Sequence, residues 1–181
     1  MEQMDNTYLA DKAALRADHL PDGEIRVLDC YGGKGLVWHA VQKLARRKIK
    51  VLPVDIRNDL NTFRLPGDNR AFLQIIDLTK FNVVDLDAYG VPYDQLRMIF
   101  ERGYIGKMFV TFIQSLYGRM PYGLLEEVGF TAEMIKRSPT LFGRRGWDYF
   151  LDYLALHGVT KVWHRSHARK HYLFFDASGL K

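Results

Sequence analysis

The chain has 181 residues, a single cysteine and a formal net charge of +5 at pH 7, with a sequence pI near 9.3. This length predicts one α/β domain over residues 1–181, with little chain left over for a separate recognition domain. A lone cysteine excludes an intramolecular disulfide, and no stretch approaches the roughly 20 apolar residues of a membrane span, so we expect a cytoplasmic protein without a membrane partner. The modest positive charge favours an anionic partner such as nucleic acid, RNA or DNA.

The N-terminal segment, residues 1–22, is predicted to be helical. Residues 6–20 have the pattern of a short amphipathic helix. Such a helix would either pack on the surface of the domain, which is the simpler interpretation, or cover a bound cofactor.

A βα turn rich in glycine follows. The apolar run Ile25–Asp29 predicts a buried strand that ends in an acid, and residues 36–47 have apolar side chains at helical spacing. Between them lie Gly32, Gly33 and Gly35. A tight turn of this kind lets the backbone approach a cofactor closely.

Two kinds of cofactor loop do not fit this turn. A P-loop needs a glycine where this chain has Leu28, and a serine or threonine where Gly35 follows Lys34. A dinucleotide-binding turn starting at Gly33 would need its third glycine at Trp38. An indole at that point argues against NAD.

The remaining pattern, Val-Leu-Asp-Cys-Tyr-Gly-Gly-Lys-Gly, resembles motif I of the class I S-adenosylmethionine (SAM) methyltransferases. The resemblance implies a Rossmann-like fold, with a mostly parallel seven-stranded sheet flanked by helices and a C-terminal antiparallel hairpin. It also implies that SAM is the cofactor. The residues expected to contact it in this turn are Asp29, Tyr31, Gly32, Gly33 and Gly35.

Further acids follow the next predicted strands. Ile49–Asp55 is an apolar run whose Asp55 is spaced to accept hydrogen bonds from both ribose hydroxyls, with Ile56 beside it. Residues 71–76 are predicted as a third strand, after which the resemblance puts Asp77 and Leu78 near the adenine. Asp85, in the fourth predicted strand, is also expected to contact the cofactor.

The end of the fourth strand carries the expected chemistry. Residues 82–92 begin as a strand and break into a loop at Gly90 and Pro92. The stretch resembles the Asp-Pro-Phe-Gly-Ser-Pro loop of the tRNA guanine-N2 methyltransferases of the Trm family, and more loosely the Asp/Asn-Pro-Pro-Tyr loop of amino-methylating enzymes. The resemblance implies that Asp87 holds the target amine, that Tyr89 stacks on the base and that Pro92 completes the catalytic loop. Alanine and valine replace the first proline and the serine of the Trm pattern, which leaves the substrate class open.

The rest of the chain continues the alternation of strands and helices that predicts a parallel sheet. Residues 93–103 are predicted as a helix, 107–114 as a fifth strand, and 117–136 and 147–157 as helical. Residues 160–164 and 171–175 are predicted as the two strands of a terminal hairpin with a basic turn.

Three basic clusters accompany these elements. Residues 43–48 end a helix, where cations are favoured for structural reasons. Arg144, Arg145 and Trp147 mix cations with an aromatic ring, as surfaces for single-stranded nucleic acid do, although a turn capping a helix whose Trp147 faces the core explains them equally well. The histidines at 164, 167 and 171 lie among basic residues with no acid or thiol nearby, so no metal site is expected.

Three hypotheses follow. The leading one is a SAM-dependent methyltransferase acting on an exocyclic amine of a nucleic-acid base. The second is a methyltransferase for a small molecule or a protein side chain. The third is a SAM-binding or nucleic-acid-binding regulator without catalysis.

Overall fold

The computed structural model describes residues 8–57, 63–114 and 120–179. The predicted helical positions 1–7 and 117–119 lie outside these ranges. In chain order the helices and strands are α1 Leu9–Asp18, β1 Ile25–Asp29, α2 Leu36–Ala45, β2 Ile49–Asp55, β3 Leu65–Pro66, α3 Asn69–Ile75, β4 Val83–Leu86, α4 Tyr93–Glu101, β5 Lys107–Ile113, α5 Tyr122–Glu127, α6 Ala132–Arg137, α7 Leu141–Leu156, β6 Trp163–His167 and β7 Lys170–Asp176. A single turn of 3₁₀-helix covers Leu78–Lys80.

The strands form one seven-stranded sheet in the order β3-β2-β1-β4-β5-β7-β6. The first five are parallel, whereas β7 runs antiparallel to β5 and β6 runs antiparallel to β7. The predicted fold, a mostly parallel sheet that ends in an antiparallel hairpin, is therefore confirmed.

The strand predicted at residues 71–76 is wrong. This segment is the helix α3, whose N-cap Asp68 accepts a hydrogen bond from the backbone N–H of Arg70. An apolar run this short fits a strand or a buried helix equally well, and the exposed fraction of Ile75, 79%, shows that only one side of it is buried. The third strand is instead the two-residue β3 at the edge of the sheet.

Two further boundaries differ from expectation. The first strand of the hairpin lies at Trp163–His167 rather than 160–164, and its turn is only Ala168 and Arg169. The turn expected around residues 143–146 is part of α7, which is kinked at Arg145.

The sheet separates two apolar clusters. One side packs under α3, α4, α5 and α7 around residues such as Leu96, Phe112 and Phe150. The other packs under α1 and α2 around Trp38 and Phe109. No helix within the described ranges is both long enough and apolar enough to cross a membrane.

Helix α1 is fixed to the centre of the sheet by a buried ion pair. The Nε and Nη2 atoms of Arg16 each donate to one carboxylate oxygen of Asp85 on β4, both at 2.7 Å. Trp38 of α2 donates its indole N–H to the same carboxylate at 2.8 Å. Burial disfavours the charge of Arg16, but the attraction of Asp85 outweighs it and raises the pKa of the guanidinium. One carboxylate therefore joins two helices to one strand.

The same helix also contacts the terminal hairpin. Arg165 on β6 donates to Asp11 at 3.1 Å and to Asp18 at 3.2 Å. The ring of Tyr8 stacks on His167 with the ring centres 3.8 Å apart. These contacts are partly exposed, in contrast to the pair between Arg16 and Asp85.

We expect Arg16→Met to lower the free energy of unfolding by about 3–5 kcal/mol, because the carboxylate of Asp85 would stay buried without its cation. Urea unfolding followed by circular dichroism measures this change. The control is Arg165→Ala, which removes exposed ion pairs of the same helix and should lower the free energy of unfolding by about 1 kcal/mol or less. Equal losses in the two variants would contradict the dominant role of the buried pair.

Candidate functional site

The candidate site lies at the carboxyl edge of the parallel strands. Cys30, the residue just after β1, donates its N–H to the carbonyl of Asp85 on β4 at 2.9 Å and so joins these two strands. Open α/β sheets bind ligands at this edge, because the loops that leave the strands converge there.

The glycine turn is held against the end of β2. The N–H of Gly32 donates to the carbonyl of Val54 at 3.0 Å, and a Cβ at Gly32 would lie 2.4 Å from the Cβ of Pro53. Only glycine fits this close approach. Gly35, with φ of 70°, has the left-handed conformation that starts α2.

Asp55 is an ionised hydrogen-bond acceptor beside this turn. It accepts from the N–H of Gly33 at 2.8 Å and from the backbone and side chain of Arg57 at 2.9–3.1 Å. Burial opposes the charge, but the hydrogen bonds from Arg57 and Gly33 outweigh it and lower the pKa of Asp55. The neighbouring Ile56 leaves 71% of its surface exposed, so an apolar face lies next to the acid.

A cavity of about 60 Å³ lies inside the turn, and three carboxylates face it. Its lining includes Asp29, Tyr31, Gly33, Gly35, Asp85 and Asp87. Burial, followed by the nearby charge of Asp85, raises the pKa of Asp29 well above its ordinary value. The N–H of Tyr31 donates to Asp29 at 3.2 Å.

Asp85 was expected to contact the cofactor, and in the structure its carboxylate is bound by side chains of two helices. Both of its oxygens accept hydrogen bonds from Arg16, and one also accepts from Trp38. Its exposed fraction is only 1%. The carboxylate therefore joins α1 and α2 to the sheet and at the same time lines the small cavity.

Asp87 follows β4 and lies opposite α1. Lys12 donates to its two oxygens at 2.8 and 2.9 Å, and Thr111 donates to Oδ1 at 2.5 Å. Burial alone would raise the pKa of Asp87, but the charges of Arg16 and Lys12 outweigh it, so the pKa is lowered and the group is a carboxylate at neutral pH. The side chain keeps 16% of its surface exposed.

A wide cleft of about 780 Å³ begins at the loop after Asp87. Tyr89, which is 80% exposed, lies at this cleft, and the N–H of Ile113 donates to the carbonyl of Gly90 at 2.9 Å. Pro92 is buried and caps the start of α4. The lining of the cleft is rich in aromatic side chains, namely Tyr89, Tyr93, Tyr122 and Phe142.

Asp77 and Leu78 are not part of this edge, which corrects the sequence-based assignment. Because α3 leads away from the site, these residues follow its far end and lie just before the start of β4. The carboxylate of Asp77 caps the 3₁₀ turn by accepting from Thr79.

The polar residues that do reach the edge after β3 are Asp68 and Asn69, which the sequence analysis missed. Asn69 donates to the carbonyl of Cys30 at 2.8 Å, and the preceding Gly67 donates to the carbonyl of Asp55 at 3.0 Å. The sequence signal that could have identified them is the Gly67-Asp68 pair, which directly follows the short strand β3.

The predicted basic and aromatic cluster separates into different environments. The indole of Trp147 stacks on His171 with the ring centres 3.9 Å apart and packs against Phe112, so its faces are not available to a base. Arg145 pairs with Asp148 at 3.0 Å. Arg144 is exposed and directly follows Gly143, which lines the wide cleft.

No group of three or more side chains suited to hold a metal ion occurs in the parts of the chain that are described. His171 is stacked and buried, and burial together with the neighbouring His164 lowers its pKa to about 4.

This architecture is the class I SAM-dependent methyltransferase fold. No protein-family model and no curated protein sequence matches the chain. Among solved structures, a proposed rRNA methylase from Clostridium thermocellum is similar over 93% of this chain and 94% of its own, with 13% identity and a TM-score of 0.53.

Two other similar structures have named activities. A T. thermophilus 16S rRNA guanine-N2 methyltransferase, solved with AdoMet and guanosine, matches 96% of this chain at 11% identity and a TM-score of 0.51, and the match covers 40% of that protein. A mitomycin 7-O-methyltransferase matches 96% of this chain at 16% identity and a TM-score of 0.54, over 55% of its length. At these identities the likeness shows the fold.

We expect Asp29→Asn to remove a pH dependence of stability. The pKa of Asp29 is raised in the folded protein, so the folded state binds more protons than the unfolded state between the two pKa values, and stability falls as the pH rises through that interval. The asparagine variant should therefore unfold at a higher urea concentration than the wild type at neutral pH, with a smaller difference in acid.

The control for this experiment is Asp22→Asn, at an exposed position that precedes β1. Unfolding midpoints that change with pH in the same way for the wild type and Asp29→Asn would contradict the assignment of the buried carboxyl group.

Proposed function

We propose that this protein is a SAM-dependent methyltransferase whose acceptor is an exocyclic amine of a nucleic-acid base. The observation that carries the proposal is the arrangement at one sheet edge. Asp87 lines the small cavity together with the glycine turn, and Tyr89, two residues later, lines the wide aromatic cleft. A donor side and an acceptor side thus meet at a single ionised carboxylate.

The residues around the small cavity are of the types that could bind the three parts of SAM. Gly33 and Gly35 would leave room for the amino-acid end, Asp55 would accept from the ribose hydroxyls, and Ile56 would cover one face of the adenine. Arg57, which hydrogen-bonds to Asp55, would have to move for the ribose to reach it. When bound, SAM supplies a methyl group on a sulfonium, so the protein mainly has to align the acceptor and exclude water.

The acceptor side offers a carboxylate with spare capacity. A carboxylate has about four lone-pair positions, and Asp87 uses three of them for Lys12 and Thr111. The remaining lone-pair position on Oδ2 can accept a hydrogen bond from an N–H of the target amine. This hydrogen bond would orient the lone pair of the amine nitrogen towards the methyl group. Lys12 and Thr111 act as positioning residues, because they fix the carboxylate in place.

The exposed ring of Tyr89 supports a planar acceptor. A base that enters the cleft can stack on this ring while its amine approaches Asp87, which matches the use of stacking by enzymes that act on single bases. The resemblance of this loop to the Trm family favours guanine or adenine amines. The match to a guanine-N2 methyltransferase solved with guanosine agrees with this assignment at the level of fold.

A small-molecule acceptor is the second candidate. The cleft of about 780 Å³ is within the range of small-ligand sites, roughly 300–1,000 Å³, and its lining is largely aromatic and apolar. The similar fold of a mitomycin methyltransferase agrees with this alternative.

The test is transfer of labelled methyl from SAM into separate pools of tRNA, ribosomal RNA, DNA, protein and small aromatic amines. We expect label in one nucleic-acid pool. Asp87→Asn keeps the shape of the side chain and should reduce transfer by about 10- to 100-fold with little change in SAM affinity, because a hydrogen bond to a charged group contributes about 1.5–3 kcal/mol. Full activity of this variant would reject the role of Asp87.

Two further variants separate the two sides of the site. Asp55→Ala should weaken SAM binding, measured by calorimetry, by about 10-fold or more through the loss of ribose hydrogen bonds. Tyr89→Ala should raise KM for the nucleic acid by about 5- to 100-fold through lost stacking, and Tyr89→Phe should keep the wild-type value. Ile105→Ala, at another exposed apolar side chain, is the control. Label found only in small molecules would replace the leading proposal by the second candidate.

A further inference from the structure

We propose that Arg144 and Arg169 form a phosphate-binding pair at the mouth of the wide cleft, and that it holds the backbone of the strand whose base enters the cleft. This inference rests on the proposed function, because it assumes a nucleic-acid acceptor. It extends that function by naming residues that contact the substrate outside the base pocket.

The two arginines come together through Gln114, the residue after β5. Its backbone N–H donates to the carbonyl of Arg169 at 2.9 Å, and its side-chain amide donates to the carbonyl of Gly143 at 2.7 Å. The same side chain accepts from the N–H of Trp147 at 3.2 Å. One glutamine thus joins the turn of the terminal hairpin to the first turn of α7.

These contacts place both arginines at the candidate site. β7 pairs with β5 so that Lys170 lies opposite Ile113, which brings the hairpin turn to the carboxyl edge of the sheet. Gly143, next to Arg144, lines the cleft. The basic residues 43–48 at the end of α2 are at the opposite edge, because α2 leads from the glycine turn to the start of β2.

Both side chains are available to a ligand. Arg144 and Arg169 are exposed, and neither makes an ion pair or a side-chain hydrogen bond within the described ranges. Nearby acids are already engaged, since Asp148 pairs with Arg145 and Asp94 pairs with Arg70. Two guanidinium groups without an ion pair among the described residues therefore belong to the two segments that Gln114 joins beside the cleft.

The spacing and chemistry suit a nucleic-acid strand. The two carbonyls bridged by Gln114 are on the order of 10 Å apart at most, given hydrogen bonds of about 3 Å and one glutamine side chain between them. The side chains of Arg144 and Arg169 extend from these two neighbouring segments, so the pair can contact neighbouring phosphates of one strand. Guanidinium groups bind phosphate through two parallel hydrogen bonds, which a lysine cannot do.

The test measures binding of fluorescein-labelled single strands of about 12 nucleotides, as RNA and as DNA of the same sequence, over a range of salt concentrations. Each phosphate contact on a single strand contributes about 0.7 to the slope of log affinity against log salt. For Arg144→Ala with Arg169→Ala we expect a slope smaller by about 1.4 and an affinity at least about 10-fold lower at low salt. Arg144→Lys with Arg169→Lys should restore most of the slope but only part of the affinity.

The matched control is Lys43→Ala with Lys48→Ala, which removes the same charge from the opposite edge. An unchanged slope in the arginine variant, for both RNA and DNA, would overturn the proposal, and so would an equal decrease in the lysine variant. Polyglutamate tests whether the two arginines bind any polyanion. If it displaced the RNA, and if its own binding fell in the arginine variant as much as RNA binding does, the proposal would also be overturned.

The outcome can be separated from that of the proposed function. Methyl transfer to nucleic acid with an unchanged salt slope would reject only the arginine pair. A reduced slope without methyl transfer to any nucleic-acid pool would support the pair as a binding surface and reject the proposed reaction. SAM affinity, measured on the same variants, should be equal to that of the wild type in every case.

Discussion

The ion pair between Arg16 and Asp85 determines how the N-terminal helix meets the sheet, and the site depends on that register. Four residues along a helix span about 6 Å, and two residues along a strand span about 6.6 Å with the side chains on the same face. Lys12 is four residues from Arg16, and Asp87 is two residues from Asp85. When Arg16 pairs with Asp85, Lys12 is therefore brought opposite Asp87, and the second ion pair forms. In this way α1 holds the carboxylate that follows β4.

This arrangement has an electrostatic consequence for the site. Two cations, Arg16 and Lys12, face three carboxylates, Asp29, Asp85 and Asp87. Asp85 pairs with Arg16 and Asp87 pairs with Lys12. Burial raises the pKa of Asp29 and, despite its pair with Arg16, also that of Asp85. The pKa of Asp87 is lowered instead, so the carboxylate proposed to hold the acceptor is kept ionised.

Local sequence patterns predicted most of the fold. The features that they did not predict depend mainly on interactions between residues far apart in the sequence. The glycine turn and the terminal hairpin were predictable because a strand that ends in glycines, and two strands joined by a short basic turn, leave strong local signals. Residues 71–76 were assigned wrongly because five apolar residues and one glutamine, in a run this short, fit a strand or a helix. The role of Asp85 depends on Arg16, 69 residues earlier, and the position of Arg169 depends on Gln114. No local pattern contains such pairs.

The contacts of α1 also set the order in which the molecule can be completed during synthesis. Its partners follow much later in the chain: Asp85 by 69 residues, Asp87 by 75, and Arg165 by 154 from Asp11. At roughly 5–20 residues per second, the ribosome needs several seconds to make the first of these acids and longer to make the hairpin. During that interval the two cations of α1 remain in water. Docking of the first helix therefore has to wait for β4 and for the terminal hairpin, and the candidate site is completed only after both have been made.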